Sequence, residues 1–204
     1  MTELERRLRR DEPARLDRER LSAALAERAG SAGLLDVAVA SMDSPLGELL
    51  VAVTPRGLVR IAYEGEAEAE VLDDLAERVS PRVLRAAKPT DAVRRELADY
   101  FARRRRRFET PVDWSLVRGF ARGVLRATAG VPFGEVTTYR GMAVAAGSPN
   151  AYRAAGNALG ANPIPIVVPC HRVLHSDGGL GGYAGGLDRK RFLLELEGAA
   201  VGER

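Results

Sequence analysis

The sequence predicts a two-domain chain: a small α/β domain with an antiparallel sheet and flanking helices, then a mainly helical domain centred on two short helices joined by a tight turn. Three observations predict it. The chain has 204 residues, enough for one large or two small cores. Short Val/Ala-rich runs separated by turn residues fill the stretch after residue 34. Helix-period segments punctuated by glycine and proline fill the stretch after residue 110.

The elements follow in order. Residues 1–33 are dense in Arg, Glu and Leu; Leu4 and Leu8, then Leu21 and Leu25, recur at helical spacing with Pro13 between the pairs. They predict a charged helical or disordered extension. "LDVAVASM", "GELLVAV" and "GLVRIAY" are strand-like runs joined by "DSPLG" and "TPRG", which predicts an antiparallel meander. "EAEAEVLDDLAERV" reads as an acidic amphipathic helix. "DAVRRELADYFARRRRRF" reads as another, with Val93, Leu97, Tyr100 and Phe101 on one face and Arg103–Arg107 as a solvated, phosphate-capable run at its end. "ETPVDW" breaks the pattern, so the α/β domain is placed at 34–110 and the second domain at 111–204. In the latter, "SLVRGFARGVLRATAG", "VTTYRGMAVAAG", "AYRAAGNALGA" and "LDRKRFLLELEG" read as helices.

Composition narrows the function. No apolar run approaches the ~20 residues of a membrane helix, and "MTELERRLRR" is charged where a signal peptide would be apolar. One cysteine cannot form an internal disulfide, so the cytoplasm is the expected compartment. The formal charge is +3; residues 1–110 carry 21 basic and 21 acidic side chains, and residues 111–204 carry 10 and 7. The excess positive charge lies in the second domain, which mildly favours a polyanion partner there.

Two stretches carry chemistry. "TTYRGMAVAAGSPNAYRAAGNAL" is two short helices around a tight turn, either a helix-turn-helix or an ordinary helical hairpin. Its second helix offers Ala151, Ala154, Ala155, Gly156 and Ala158, with Arg153 as the one long charged side chain. Small residues allow close approach to DNA but supply few donors for base edges, so close, weakly sequence-specific contact around one arginine is expected. The other stretch is "IPIVVPCHRV", which holds the sole cysteine, Cys170, next to His171. A thiol beside a base is a candidate nucleophile; a buried structural cysteine is the alternative, and a metal site through His171 and His175 is a third reading with no further ligand to complete it. Neighbours along a strand point to opposite faces, so Cys170 and His171 cooperate only if the chain turns there or a water bridges them; Pro169 favours a turn.

"PCHRV" (169–173), with "VPFGEVTTYRGMA", "AYRAAGNALGANPIPIVVPCHRV" and "GGYAGGLDRKRFLLELEG" in order and spacing, resembles the O6-alkylguanine-DNA alkyltransferases, or methylated-DNA–protein-cysteine methyltransferases. "SPLGELLVAVTPRGLVRIAY" resembles their N-terminal domain more weakly, and the likeness covers about residues 35 to 198. It implies a ribonuclease H-like first domain and a winged-helix type second domain. It implies direct-reversal repair: irreversible, single-turnover transfer of the O6-alkyl group of guanine, and of O4-alkylthymine as a further candidate, to Cys170. His171 is then the base acting through water, Glu197 its orienting carboxylate, and Asn162 the brace of the turn. Tyr139 crowds the 3′ phosphate and serves guanine N3. Arg153 is the finger that fills the stack after base flipping, with Ala151, Ala154 and Arg172 also on the DNA side. Val173, Tyr183 and Ala184 form the base pocket. The partner is double-stranded DNA carrying O6-alkylguanine, met by a monomer, with no cofactor, no metal and no membrane. A non-reacting lesion sensor and a Cys–His hydrolase are the rival readings. The chain departs from the family's usual pattern at Arg118, Ala121 and Leu125, which concerns packing of the first helix around Phe120, and at Ala184, where a hydroxyl is absent.

Overall fold

The structure, a computed structural model, describes residues 21, 24, 28–30 and 33–199. Most of the extension expected at 1–33 lies outside these; its described positions 21, 24 and 28–30 are helical.

The meander forms as expected: β1 (Val37–Met42), β2 (Leu49–Thr54) and β3 (Gly57–Tyr63) pair antiparallel, with Val39 opposite Ala52 and Val51 opposite Ile61. A short fourth strand, β4 (Val83–Arg85), adds parallel to β1, so the sheet is mixed and runs β3-β2-β1-β4. Three residues leave too little periodicity for sequence to register such a strand. Two helices cover the sheet, α1 (Glu68–Arg78) through Val71 and Leu75, and α2 (Ala87–Phe101) through Val93, Leu97 and Tyr100. α2 begins a turn before the expected Asp91, because Pro89 is tolerated in a first turn whose N–H groups have no intrahelical partner. It also ends before the arginine run. Arg103 adopts a left-handed conformation (φ 58°), and Arg103 and Arg104 donate back to the carbonyls of Tyr100 and Asp99, closing the helix in a Schellman ending. The run is therefore a loop, with Arg104 paired to Asp99 and Arg105 to Glu96 and Glu109.

The segment expected to break the pattern is tied to the sheet instead. Leu58 N donates to Pro111 O at 2.8 Å, and Asp113 N to Leu58 O at 2.8 Å. A 3-10 turn at Trp114–Leu116 follows, started by the Asp113 carboxylate accepting from Ser115 N. Then come α3 (Gly119–Ala129), a two-residue strand β5 (Thr137–Thr138), the helix pair α4 (Tyr139–Ala145) and α5 (Tyr152–Gly160), β6 (Val173–Leu174) parallel to β5, and α6 (Leu187–Glu197). α3 packs despite its departures: Val124, Leu125 and Thr128 are buried. The stretch between α5 and Cys170 docks on the edge of the first sheet, where Ile61 N donates to Pro163 O at 2.9 Å. One apolar core spans both domains.

Candidate active site

Cys170 sits at a turn, as cooperation with His171 requires. The preceding run folds back on itself: Val167 N donates to Pro165 O and Cys170 N to Val168 O, and Ile166 is held at φ 73°, a rare conformation for a β-branched residue. A 3-10 turn, Cys170–Arg172, follows at once. Asn162 braces this loop: its Nδ2 donates to Val168 O at 2.8 Å and to Cys170 Sγ at 3.2 Å, while its Oδ1 accepts from Ile164 N. Ile164, Ile166 and Val168 are essentially inaccessible, so the thiol has a dry wall on one side.

Behind the thiol lies a charged cluster. His171 Nε2 lies 2.9 Å from Glu197 Oε1, and both side chains are fully buried. An ionised carboxylate only accepts, so Nε2 carries the proton and Nδ1 the free lone pair. Nδ1 is buried with no protein partner. Burial lowers the His171 pKa below 6.5, against the pull of Glu197, so the imidazole is a neutral base. Glu197 also accepts from Tyr100 Oη (2.6 Å), from Arg172 Nε and Nη2 (both 2.8 Å) and from Gly134 N (3.2 Å). Burial opposes its charge, but the bonds from His171 and Arg172 prevail and hold it well below the ordinary 4.5.

Arg172 was expected on the DNA face and is not there. It is 6% exposed, with its guanidinium spent on Glu197 and on Val131 O. A buried carboxylate needs several donors more than a distant phosphate needs one more cation.

The remaining expected residues, Val173 excepted, lie on the open side. A cavity of about 550 Å³ leads to Cys170 between Tyr139, Arg153, Gly156, Tyr183 and Ala184. Arg153 and Ala154 are exposed on α5, and Ala151 is half-buried just ahead of it. Tyr139 packs against His175, ring centres 5.1 Å apart, so His175 faces this cavity while His171 points into the buried cluster. Gly181 (φ 65°) is required here, because a Cβ would collide with the Tyr139 hydroxyl. Val173 is buried and its carbonyl accepts from Lys190 Nζ at 2.7 Å.

Lys190, Tyr63 and Tyr100 are residues that the sequence reading missed. The Lys190 ammonium is inaccessible and also donates to the carbonyls of Leu180 and Gly182, joining the glycine-rich loop to Val173. Burial lowers its pKa to about 8, and the nearby thiol partly offsets this. A signal existed: Lys190, Leu193, Leu194 and Glu197 share one helical face, at i, i+3, i+4 and i+7. Burial pushes the Cys170 thiol up to about 11, opposed by the Asn162 bond and the Lys190 charge.

A lone buried thiol that lines a cavity beside a helix pair with an exposed arginine, and is followed in the chain by a histidine bonded to a buried carboxylate, is an arrangement that suits a nucleophilic cysteine. The comparisons with known proteins specify it. The 6-O-methylguanine DNA methyltransferase family matches in two parts, its ribonuclease-like domain over residues 37–114 and its DNA binding domain over 119–199. A methylated-DNA–protein-cysteine methyltransferase of Methanosarcina barkeri is 39% identical over 157 residues, 76% of this chain and 94% of the relative. The Homo sapiens protein of that name is 37% identical over 170 residues, 80% and 81% of the two chains. Among solved structures, Mycobacterium tuberculosis O6-methylguanine methyltransferase aligns with a TM-score of 0.66 at 35% identity, over 82% of this chain and 96% of that one. Mycobacterium tuberculosis OGT in complex with DNA aligns at 0.65 and 34%, over 80% and 93%. This chain belongs to the 6-O-methylguanine DNA methyltransferase family.

Proposed function

We propose that Cys170 accepts the O6-alkyl group of guanine from double-stranded DNA in one irreversible turnover, with the chain acting as a cytoplasmic monomer. The activity is alkyl transfer from damaged DNA to a cysteine, which repairs the DNA by direct reversal. The observation that carries the residue assignment is that Cys170 lines an open cavity and is followed, within one 3-10 turn, by His171 bonded to Glu197 at 2.9 Å. Residues 34–110 form the α/β domain in this reading, and residues 111–204 bind DNA and transfer the alkyl group. A free thiol without a disulfide partner suits a reducing compartment, and no described helix is long and apolar enough to cross a membrane.

The thiol is too buried to meet a base inside a duplex, so the damaged nucleotide is flipped out. Arg153 enters the emptied stack, and Ala151 and Ala154 let the backbone of α5 come close to the minor groove. Tyr183 and Ala184 cover the base, the backbone N–H of Ala184 serves O6, and the Val173 carbonyl accepts from the guanine amino group. The Cys170 proton passes through a bridging water to His171 Nδ1. Glu197, held ionised by Arg172, then stabilises the imidazolium. The sulfur attacks the alkyl carbon, the carbon–O6 bond breaks, and its electron pair leaves with guanine. Tyr139 donates to N3: a hydrogen bond there offsets the negative charge left on guanine, and transfer of the proton leaves the restored base neutral. The chain has no second thiol to remove the alkyl group from the resulting thioether, so each molecule reacts once.

The test is intact-protein mass after incubation with a duplex carrying one O6-methylguanine, followed by peptide mapping. The expected result is a gain of one methylene on the Cys170 peptide, saturating at one equivalent. Cys170→Ala should bind the lesion and gain nothing. Tight lesion binding by the wild type without any gain would make the protein a sensor and overturn the assignment.

A further inference from the structure

The pocket lid is fastened to the first domain. Tyr183 lines the Cys170 cavity, yet its hydroxyl lies 2.6 Å from that of Tyr63, the last residue of β3 and 120 positions earlier. The two rings meet edge to face, centres 6.2 Å apart, and Tyr63 is 5% exposed. Burial raises the pKa of both phenols, so the pair stays protonated and hydrogen-bonded across the neutral range. Arg189 clamps the same junction. Its guanidinium lies 4.8 Å from the Tyr63 ring centre and donates to the carbonyls of Leu46 and Glu64 in the first domain and of Gly185 in the loop. The fit is close: a Cβ on Gly185 would lie 2.7 Å from Tyr63 Cε2 and 3.0 Å from Tyr183 Cε1.

We propose that Tyr63 is a positioning residue for alkyl transfer: the first domain, through the Tyr63–Tyr183 hydrogen bond, sets how far the lid stands from Cys170 and so which alkyl groups fit. The inference rests on the assignment of Cys170 as acceptor and of Tyr183 as lid. Lys190 fixes the other end of the same loop to Val173, so the loop is held at two points and the Tyr63 bond controls the end nearest Ala184. Removing the Tyr63 hydroxyl leaves that of Tyr183 without its partner at a part-buried junction and favours an outward lid. A small alkyl group depends on the closed lid for its alignment with sulfur. A bulky one must displace the lid in any case and loses less.

The experiment is single-turnover transfer by the full chain with two probes, a duplex carrying O6-methylguanine and a duplex carrying O6-benzylguanine. Tyr63→Phe should slow methyl transfer by about fivefold, the scale of one buried hydrogen bond, and raise the benzyl-to-methyl rate ratio by about threefold or more. Tyr183→Phe should shift the ratio the same way, and the double variant should shift it no further than either single one, because the bond is lost only once. Arg189→Met, which leaves both hydroxyls in place, should move the ratio in the same direction. Equal slowing on both probes, or additive effects in the double variant, would overturn the proposal and leave Tyr63 a packing residue. Absence of transfer by the wild type would instead remove the assignment on which it rests.

Discussion

The two domains bury polar groups in opposite ways. The first keeps its interior apolar: Val37, Val39, Leu49, Val51, Leu58, Ile61, Leu75 and Leu97 have almost no exposure. Its buried carboxylate Glu96, and Asp113 just past the boundary where the chain is tied to β3, lie at the rim. Glu96 accepts from the backbone N–H groups of Glu109 and Thr110, and Asp113 from Thr54, Arg56 and Ser115. Each stabilises a turn. The second domain buries His171, Arg172 and Glu197 in one hydrogen-bonded network, and Lys190 separately on the carbonyls of Val173, Leu180 and Gly182. An apolar interior folds the chain without enclosing charge. A charged interior costs desolvation and is stable only when every partner is present. The comparison separates what builds the fold from what reacts, and substitutions can be chosen to break it.

The largest effect is expected from Arg172→Met. It takes two charge-assisted donors from a buried carboxylate and should destabilise the protein by about 3–5 kcal/mol in denaturant unfolding. Replacing Glu197 by Gln in the same chain, which removes the unpaired charge but keeps an acceptor for His171 and Tyr100, should restore part of that stability while transfer stays lost. Leu58→Ala in the first domain should cost about 2–5 kcal/mol through its cavity, yet transfer per folded molecule should persist. If Arg172→Met left stability within ~0.5 kcal/mol of wild type, the network would not be the fully desolvated cluster described above.

A smaller and more local effect is expected on the open side. Arg153 is exposed, with its guanidinium 5.8 Å from the Tyr152 ring centre and no acidic partner among the described residues. Arg153→Ala should change stability by less than ~0.5 kcal/mol. It should slow repair in a duplex by roughly ten- to a hundredfold, since a flipped nucleotide then has nothing to hold its place in the stack. Reaction with the free base O6-benzylguanine should change by less than about twofold on the same argument. Equal losses on both substrates would remove the finger role.

How much of this was legible in the sequence follows the same division. The meander was legible because its alternating runs are separated by turn residues, and the helix pair because its segments carry helical periodicity. β4 was not, since three residues hold no pattern, and the end of α2 was misjudged because nothing local distinguishes Arg103 in a left-handed cap from another helical arginine. At the site, Cys170 and His171 were legible as a thiol beside a base, Asn162 and Glu197 came from motif resemblance, and the structure bonds Asn162 to Cys170 and His171 to Glu197. Arg172 was misplaced because hydropathy assigns a guanidinium to solvent unless a buried partner is known, and that partner lies 25 residues away. Tyr63 and Tyr100 were invisible as site residues for a related reason. Each acts across the domain junction, 120 and 97 residues from its partner, and no local pattern encodes such a distance.

Tyr100 supports the smallest of the predictions and the most specific. It brings a hydroxyl from α2 of the first domain to Glu197 Oε1. Tyr100→Phe should cost about 1 kcal/mol at pH 7, the net value of one hydrogen bond. Its pH dependence identifies the partner. His171 is buried neutral, with its pKa below 6.5, so the unfolded chain takes up a proton that the folded one refuses, and wild-type stability should begin to fall below pH 6.5. Glu197 is held below its ordinary 4.5, so its contribution is complete above that value and is lost as the pH drops further. The Tyr100 bond is strongest to the ionised carboxylate and loses that advantage once Glu197 is protonated. The stability gap between Tyr100→Phe and wild type should therefore hold steady from pH 8 to 4.5 and narrow only further into acid, as the pH approaches the depressed folded-state pKa of Glu197. A gap that stays constant through the protonation of Glu197 in the folded protein would mean that Tyr100 stabilises the junction through its ring against Phe108 and Phe133, and that the first domain bears on the relay through packing alone.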